Sequence, residues 1–281
     1  MSFVLVVAQG PSAAAVCLEL ATRGIRHALV DVTRFPRRAT LRARLERNKT
    51  RALSTKWAGT LCAGGDPIAL EDVTGIYWDI PLRVADEATA AITGVLCTLD
   101  VRWVNYPPAV AADSWTRRLH RGTMLFGANP SLITNDEGAV RQFIAEAGGS
   151  VSSKSLLDGR RESFKVTNRP RKGRYLYTKP VSVERVIHFF VVGEQVFGLA
   201  VFEGRETVFD VPEDVRFTLS GYAKVGGLVY STVTFSAPKI RELTTFLGSD
   251  ALGDWASYAD RPGLPIAAAI VDLLCPADEA P

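Results

Sequence analysis

Two acidic residues in a Gly- and Asp-rich stretch near residue 250 are the first candidates for chemistry. Asp250 and Asp254 lie in and just after the stretch Gly248–Gly253, which follows a short apolar run. Carboxylates on a loop at a strand end can hold a divalent cation and, through it, phosphate groups. Gly and Asp also form ordinary surface turns, and composition alone favours that simpler interpretation.

A basic, turn-rich segment, Asp158–Arg174, is the second candidate. Its positive charges outnumber the two acids Asp158 and Glu162, and they are carried by Arg160, Arg161, Lys165, Arg169, Arg171, Lys172 and Arg174. Arginine forks pair well with carboxylates, so the segment predicts a surface for acidic groups. The alternative is an exposed, solvated loop. Nucleic acid is not the expected partner, because few aromatic side chains are present there for base stacking.

Composition excludes several classes of protein. The chain has 281 residues, 47% of them hydrophobic, with a formal charge of +3 and a pI near 8.7. The four cysteines (Cys17, Cys62, Cys97 and Cys275) are far apart and form no CxxC pair, which argues against a zinc site and a disulfide scaffold. No apolar segment is long enough to cross a bilayer, and the beginning of the sequence lacks a basic region. A cytoplasmic protein without a membrane partner is therefore expected.

The candidate residues need elements to position them, and the first of these is an α/β unit. An apolar strand Phe3–Ala8, an Ala-rich helix Ala13–Arg23 and a strand Ala28–Val32 predict a parallel pair with a right-handed crossover. The loop after the first strand has one glycine where a dinucleotide fingerprint needs three, so a Rossmann cofactor site is rejected. The arginines of Thr33–Arg47 are interpreted as a solvated face.

Later segments predict a mixture of helices and strands. We expect strands at Gly75–Trp78, Val101–Val104 and Val151–Leu157, helices at Ser114–Phe126 (with Asp113 as N-cap) and Glu137–Ala147, a hairpin of Val186–Val192 and Gln195–Phe202, strands at Thr207–Asp210, Arg216–Leu219 and Leu228–Phe235, and a buried helix at Leu264–Leu274. The fold class is therefore α/β (α+β).

Short phrases in these elements follow an order that resembles the ATP-grasp ligases related to ribosomal-protein glutamate ligases. The resemblance is strongest to the graspetide, or microviridin-type, maturases that crosslink ribosomal peptides. The resemblance rests on the order and spacing of six short segments. They are Asp31–Pro36, Gly75–Trp78, Trp103–Pro107, Ile133–Asp136, Val191–Phe197 and Gly263–Ala267.

The resemblance implies an ATP-grasp-like arrangement of three parts. These are an N-terminal α/β domain (1–110), a small central domain (111–182) and a C-terminal antiparallel-sheet domain (183–281), with ATP clamped between the last two. Family chemistry phosphorylates a carboxylate, and a hydroxyl or amine then captures the acyl phosphate. That chemistry needs cations and magnesium on the phosphates. The resemblance also implies an acidic precursor peptide as partner, with the basic segment near the hairpin that engages the leader peptide, and a homodimer.

Carried over residue by residue, the nucleotide site is incomplete. Lys154 matches one family lysine, and His188 falls where the family has an arginine. With the hairpin as anchor, Thr178-Lys179 falls at the hinge that holds adenine; in the alternative alignment, Tyr175–Thr178 is the earlier strand and the hinge is deleted. Lys154 as a solvent-facing strand lysine and His188 as a packed histidine are the structural alternatives. The other family lysine has no counterpart, since no lysine lies between Val101 and Ser153.

The magnesium ligands implied by the resemblance are largely replaced. Thr234 and Gly248 stand where the family has acids, which leaves Asp250 as the one remaining ligand. The segment Ala223–Gly227, where the family has a further helix, is interpreted as trimmed.

These replacements lead to the hypothesis of a pseudoenzyme with an ATP-grasp fold. It would have no catalytic residue, metal site or cofactor, and Lys154, Lys179, His188 and Asp250 would be remnants of nucleotide binding. It would bind a precursor peptide through Arg160, Arg161, Arg169, Arg171 and Lys172, or bind a homologous active ligase.

The main alternative is an active ATP- and magnesium-dependent carboxylate ligase that uses Lys154 and Asp250 with unusual ligands. A third possibility, unrelated chemistry in the same cleft, finds no support in paired acids or a Ser/His/Asp set.

Overall fold

A computed structural model describes most of the chain. The described residues are 2–32, 35–36, 39–47, 55–63, 65–80, 87–126, 129–155, 165–170, 175–181, 185–237 and 245–276. No helix among them is long and apolar enough to cross a membrane.

Residues up to 112 form two sheets flanked by helices. The elements are β1 (Phe3–Ala8), α1 (Pro11–Thr22), β2 (Arg26–Leu29), β3 (Thr40–Arg47), β4 (Thr55–Cys62), β5 (Ile68–Ala69), β6 (Val73–Asp79), α2 (Glu87–Cys97), β7 (Arg102–Val104) and α3 (Pro107–Ala112). The first sheet has the order β2-β1-β6-β7, and all its pairs are parallel, as the strand–helix–strand pattern predicts. The antiparallel sheet β3-β4-β5 was not expected, because its first strand carries alternating arginines that resemble a solvated surface.

Local sequence explains why β1 and α1 form where they do. All six residues of β1 are buried, which is typical of a central parallel strand covered on both faces. Pro11 begins α1, where its missing N–H costs nothing. Gly24 follows with φ 68°, a left-handed conformation that glycine adopts readily at a helix C-terminus.

Residues 115–178 form a second unit around an antiparallel sheet. Its elements are α4 (Trp115–Phe126), β8 (Ser131–Thr134), α5 (Glu137–Glu146), β9 (Val151–Ser155), β10 (Lys165–Thr167) and β11 (Tyr175–Thr178). The sheet order is β10-β9-β11-β8. Asp136 caps α5, since its carboxylate accepts a hydrogen bond from the backbone N–H of Gly138 at 2.7 Å, as expected for an N-cap.

Residues from 186 onwards form a five-stranded antiparallel sheet with two helices. The elements are β12 (Val186–Val192), β13 (Gln195–Phe202), β14 (Arg205–Phe209), α6 (Glu213–Val225), β15 (Tyr230–Ser236), β16 (Thr245–Asp250) and α7 (Ile266–Leu274). The order is β14-β13-β12-β15-β16. The hairpin β12–β13 has the bounds predicted from the sequence, and the final helix is also confirmed.

Three sequence-based expectations in this region are wrong. Arg216–Leu219 lies in α6 and not in a strand, because Leu219, Tyr222 and Ala223 are buried with helical spacing. The segment Ala223–Gly227 was interpreted as trimmed, but its first residues are helical, because α6 extends to Val225. The stretch from Gly248 to Asp250 belongs to β16 and not to a loop, because its backbone pairs with β15.

Helix α7 joins the first and last sheets. Its buried residues Ile270, Val271 and Leu274 pack in one hydrophobic cluster with Val6 of β1 and Phe190 of β12. The approach to the first sheet is close, since a Cβ on Gly75 would lie 3.2 Å from the Leu274 carbonyl oxygen. Both sheets therefore share one core.

Asn105 makes a second connection between these sheets. Its side-chain amide donates to the Ala251 carbonyl at 2.6 Å, and its Oδ1 accepts from the Tyr230 N–H at 3.0 Å. The residue is buried and has φ 65°, a conformation that Asn tolerates better than most residues. Asn105 thus satisfies two backbone groups at the base of β15 and β16.

Replacing Asn105 tests this connection. Asn105→Gly keeps the backbone conformation accessible but leaves both backbone groups unsatisfied, so we expect a loss of about 2–4 kcal/mol in the free energy of unfolding. Asn105→Ala should lose about 1 kcal/mol more, because of its positive φ. Urea denaturation measures both. Wild-type stability of Asn105→Gly would contradict the assigned role.

Candidate functional site

A cleft lies between the second unit and the five-stranded sheet. Strands β12, β15 and β16 and the loop after β16 form its floor, while Trp115 of α4 and Lys154 of β9 line the opposite side of a cavity of about 400 Å³. A second cavity of about 240 Å³, lined partly by Lys179, shares Leu247 with the first. The two cavities adjoin at Leu247; we call the first, which is lined by Lys154, Asp250 and Asp254, the polar end of the cleft, and the second its apolar end.

Strand register brings the positions expected for magnesium ligands together. Thr234 of β15 lies opposite Gly248 of β16, and Thr232 lies opposite Asp250. His188 of β12 lies opposite Thr234 on the other side. Since side chains two residues apart on a strand share a face, these positions form one patch on the cleft floor. The three positions that the resemblance assigns to magnesium ligands, Thr234, Gly248 and Asp250, therefore lie close together in the structure.

Asp250 is already engaged within the protein. Its Oδ1 accepts a hydrogen bond from the Leu252 N–H at 3.0 Å and lies 3.7 Å from Nη1 of Arg118. The same guanidinium nitrogen donates to the Ser249 carbonyl at 2.7 Å. A divalent cation at Asp250 would have to compete with this nearby positive charge.

Arg118 is held in place by a buried carboxylate. Asp113, whose side chain is fully buried, pairs with Arg118 Nε at 2.7 Å and with Arg121 Nη2 at 2.6 Å. The two arginines lie three residues apart, so they share one face of α4. The expectation that Asp113 caps α4 is therefore wrong, because its carboxylate is used by these ion pairs. Ser114 takes that place, since its hydroxyl accepts from the Arg117 N–H at 3.4 Å.

Lys154 and Gly248 both contact the indole of Trp115. The Lys154 Nζ lies 3.9 Å from the ring centroid. A Cβ added to Gly248 would lie 3.2 Å and 3.3 Å from two carbons of the same ring. Trp115 therefore fills the space between β9 and β16. The Lys154 side chain lines the cleft and does not simply extend into solvent.

At the apolar end of the cleft, the backbone of Lys179 is bonded internally. Its N–H donates to the Pro130 carbonyl at 3.1 Å, and its carbonyl accepts from the Asn129 side-chain amide at 2.6 Å. The Lys179 side chain is exposed. The backbone donor and acceptor at the predicted hinge position are thus already used.

Asp254 forms a local turn. Its Oδ2 accepts from the Ser257 hydroxyl at 2.8 Å, and its Oδ1 accepts from the Ser257 N–H at 3.4 Å. This arrangement matches the simpler, turn-forming interpretation of the acidic stretch.

Within the described residues, no group of three or more His, Cys, Asp or Glu side chains could hold a metal ion. At the three aligned positions the side chains are a hydroxyl, a hydrogen and a carboxylate near an arginine. Magnesium prefers several oxygen ligands, of which carboxylates are the strongest. A single carboxylate is a poorer set of ligands for that ion than the acids that the resemblance implies, although magnesium can be held by one carboxylate together with phosphates and waters.

The basic segment is described only in part. Arg169 is exposed after β10, where its carbonyl accepts from the Thr167 hydroxyl at 2.9 Å. Arg160, Arg161, Arg171 and Lys172 lie outside the described residues. Val166 of the edge strand β10 is 70% exposed, so an apolar side chain accompanies the charge there.

Three residues of the cleft were missed in the sequence, namely Trp115, Arg118 and Asn129. The spacing of Asp113 from Arg118 and Arg121 was an available signal for the first turns of α4. Trp115 and Asn129 contact elements that are far away in the sequence, and a local sequence pattern does not predict such contacts.

His188 is half-buried on the cleft floor. Its ring lies 5.9 Å from the Tyr258 ring and 6.4 Å from the Phe190 ring, and its Nδ1 lies 3.3 Å from Thr234 Oγ1. Burial lowers the pKa of His188 from its ordinary value of 6.5, and the nearby Glu206 carboxylate opposes this shift.

The lowered pKa of His188 predicts a loss of stability in acid. Below pH 6.5 the unfolded chain binds a proton at this histidine more readily than the folded chain. The free energy of unfolding therefore decreases as the pH is lowered. Urea denaturation between about pH 7.5 and about pH 5.5 should show a smaller decrease for His188→Gln than for the wild type. The exposed His120 provides the control His120→Gln, which should behave as the wild type. Equal pH dependence of the His188 variant and the wild type would contradict the prediction.

No protein-family model matches the sequence, and no curated protein matches it either. Solved structures, in contrast, resemble the whole chain. The macrocyclase MdnC from Microcystis aeruginosa MRC, bound with precursor peptide MdnA, has a TM-score of 0.79 at 18% identity, covering 98% of this chain and 99% of MdnC.

Two further structures extend this similarity. A RiPP-associated ATP-grasp ligase from Chryseobacterium gregarium, in complex with ADP and a leader and core peptide, has a TM-score of 0.77 at 16% identity, covering 100% of this chain and 98% of that ligase. The ATP-grasp ligase PsnB, complexed with a phosphomimetic variant of its minimal precursor, Mg and ADP, has a TM-score of 0.72 at 17% identity, covering 98% of this chain and 99% of PsnB. The chain therefore has the ATP-grasp fold, and the structures it resembles include peptide macrocyclases and RiPP-associated ligases, as the sequence phrases predicted.

Proposed function

We propose that this protein is a catalytically degenerate ATP-grasp ligase that acts in the tailoring of a ribosomal peptide by binding. Its partner is an acidic precursor peptide or a homologous active ligase. The observation that carries the proposal is the state of the cleft floor, where Thr234 and Gly248 provide no carboxylate and Asp250 lies 3.7 Å from Arg118.

The loss of metal ligands bears directly on catalysis. Phosphorylation of a carboxylate by ATP develops negative charge that must be neutralised by metal ions and cations. At the three aligned positions one carboxylate remains, and it already accepts a backbone hydrogen bond. The internal bonds of the Lys179 backbone to Pro130 and Asn129 support the same conclusion at the hinge.

The peptide-binding part of the proposal rests on charge. Arg169 is exposed beside the edge strand β10, and the sequence around it carries an excess of arginine and lysine. Guanidinium groups bind carboxylates in a bidentate manner. An acidic peptide lying along this segment would also meet the exposed Val166. A homologous ligase is the second partner we propose, since the whole-length similarity in fold is compatible with assembly of two related chains.

The second candidate function is an active ATP-dependent ligase with unusual metal ligands. Lys154 favours it, because this cation does face the cleft, and the cleft keeps a cavity of about 400 Å³. Release of phosphate on incubation with ATP, magnesium and the cognate peptide would distinguish this candidate from the first.

Calorimetry tests the loss of nucleotide binding. Titration of ATP with magnesium into the purified protein should show a dissociation constant weaker than about 1 mM, because the charge of the triphosphate–metal complex is not matched by the cleft. Asp250→Asn should give the same weak isotherm. A micromolar dissociation constant that weakens in the Asp250 variant would favour the active ligase.

Charge reversal tests the peptide surface. The variant Arg169→Glu, Arg171→Glu and Lys172→Glu should weaken binding of a fluorescein-labelled peptide rich in Asp and Glu by at least about tenfold, and added salt should weaken binding to the wild type. Fluorescence anisotropy measures both effects. The matched control reverses three exposed arginines elsewhere (Arg42, Arg44 and Arg205) and should retain affinity. Equal effects of the two triple variants would remove the basic segment from the proposal.

A further inference from the structure

The indole of Trp115 lies in the middle of the cleft, between its two walls. Trp115 is the first residue of α4 and lines the polar cavity together with Lys154 and Gly248. Its ring therefore contacts a strand of the second unit on one side and a strand of the five-stranded sheet on the other.

On the β16 side, the contact depends on the absence of a side chain. A Cβ at position 248 would lie 3.2 Å from Cη2 and 3.3 Å from Cζ3 of the indole, closer than carbon atoms normally pack. Gly248 also has φ 154°, which L-residues rarely adopt. The ring occupies the volume that any longer side chain at position 248 would need.

On the β9 side, the contact uses the positive charge of Lys154. Its ammonium nitrogen lies 3.9 Å from the ring centroid, within the range in which a cation is attracted by the face of an aromatic ring. The Arg118 guanidinium carbon lies 5.6 Å from the same ring, but Arg118 is bound to Asp113 and to the Ser249 carbonyl.

We infer that Trp115 is a built-in occupant of the polar end of the cleft, and we call it the indole plug. The ring fills the space beside Gly248 and holds the Lys154 ammonium on its face. As a result, this end of the cleft does not accept a polyphosphate. The inference rests on the proposed function, because it names the side chain responsible for the loss of nucleotide binding.

The charges around the ring, rather than the volume of the remaining cavity of about 400 Å³, support the indole plug. An indole offers one N–H donor and no formal charge, so it cannot replace a cation for an anionic ligand. A phosphate chain drawn to Lys154 would compete with the ring face for the ammonium. The nearby carboxylates of Asp250 and Asp254 line the same cavity and repel an anion further.

A double-mutant cycle tests the packing. Gly248→Ala should lower the urea midpoint of unfolding, and this shift should be at least halved in a Trp115→Ala background, because the steric part of the cost disappears and the backbone part remains. Gly204→Ala is the matched control, since Gly204 has φ 74° and nothing within 4 Å of its Cβ position. Its cost should be the same in both backgrounds. Equal costs of Gly248→Ala with and without Trp115 would overturn the indole plug.

Ligand binding provides a second, independent readout. Inorganic tripolyphosphate, titrated by calorimetry, should bind Trp115→Ala at least about tenfold more tightly than the wild type, and Lys154→Met added to this variant should abolish the gain. Trp115→Leu, which keeps an apolar side chain, provides a folded substitute if Trp115→Ala does not fold. Unchanged affinity in both Trp115 variants would overturn the inference.

The two proposals can fail separately. Micromolar binding of ATP and magnesium by the wild-type protein would contradict the proposed function, whatever the double-mutant cycle shows. An additive cycle and unchanged tripolyphosphate affinity would remove the indole plug and leave the missing metal ligands as the sole reason for weak nucleotide binding.

Discussion

A fully buried carboxylate, Asp113, fixes the geometry on which the cleft depends. It pairs with both Arg118 and Arg121 and so orients the first turns of α4. Buried ion pairs of this kind contribute little net stability, but removing one partner leaves an uncompensated charge and is strongly destabilising. Helix α4 is also close to β16, since a Cβ on Gly122 would lie 2.5 Å from the Phe246 ring. The direction of α4 is thereby determined, and with it the positions of Trp115 and Arg118 over the cleft floor.

Several polar groups along the cleft are bonded to other groups of the protein. At the polar end, an indole and a hydroxyl lie near a carboxylate that faces an arginine. At the apolar end, the side-chain amide of Asn129 binds the backbone carbonyl of Lys179. Under the proposed function, each of these contacts within the protein takes the place of a contact that a bound nucleotide would make. The cleft keeps a cavity of about 400 Å³, although several polar groups around it are bonded within the protein.

Much of the fold could be predicted from local sequence, and the exceptions have physical reasons. The hairpin β12–β13 was predicted to the residue, because runs rich in β-branched and aromatic side chains flank a Gly-Glu turn in which Gly193 has φ 59°. Arg216–Leu219 was misassigned, because a short alternating run matches a strand as well as one face of a helix. For the site, a family resemblance could place Thr234, Gly248 and Asp250 in sequence. The contact of Trp115 with β9 and β16 depends on long-range packing, which no single sequence pattern encodes.

The shared core around α7 affects the order in which the chain can fold during synthesis. Val4 and Val6 of β1 belong to the same cluster as Ile270 and Val271 of α7. Strand β1 leaves the ribosome long before α7, yet this part of its core is completed only by residues 266–274. Contacts of such large sequence separation slow folding and leave apolar surface exposed in the meantime. The parallel sheet therefore reaches its final packing late and depends on protection from aggregation before then.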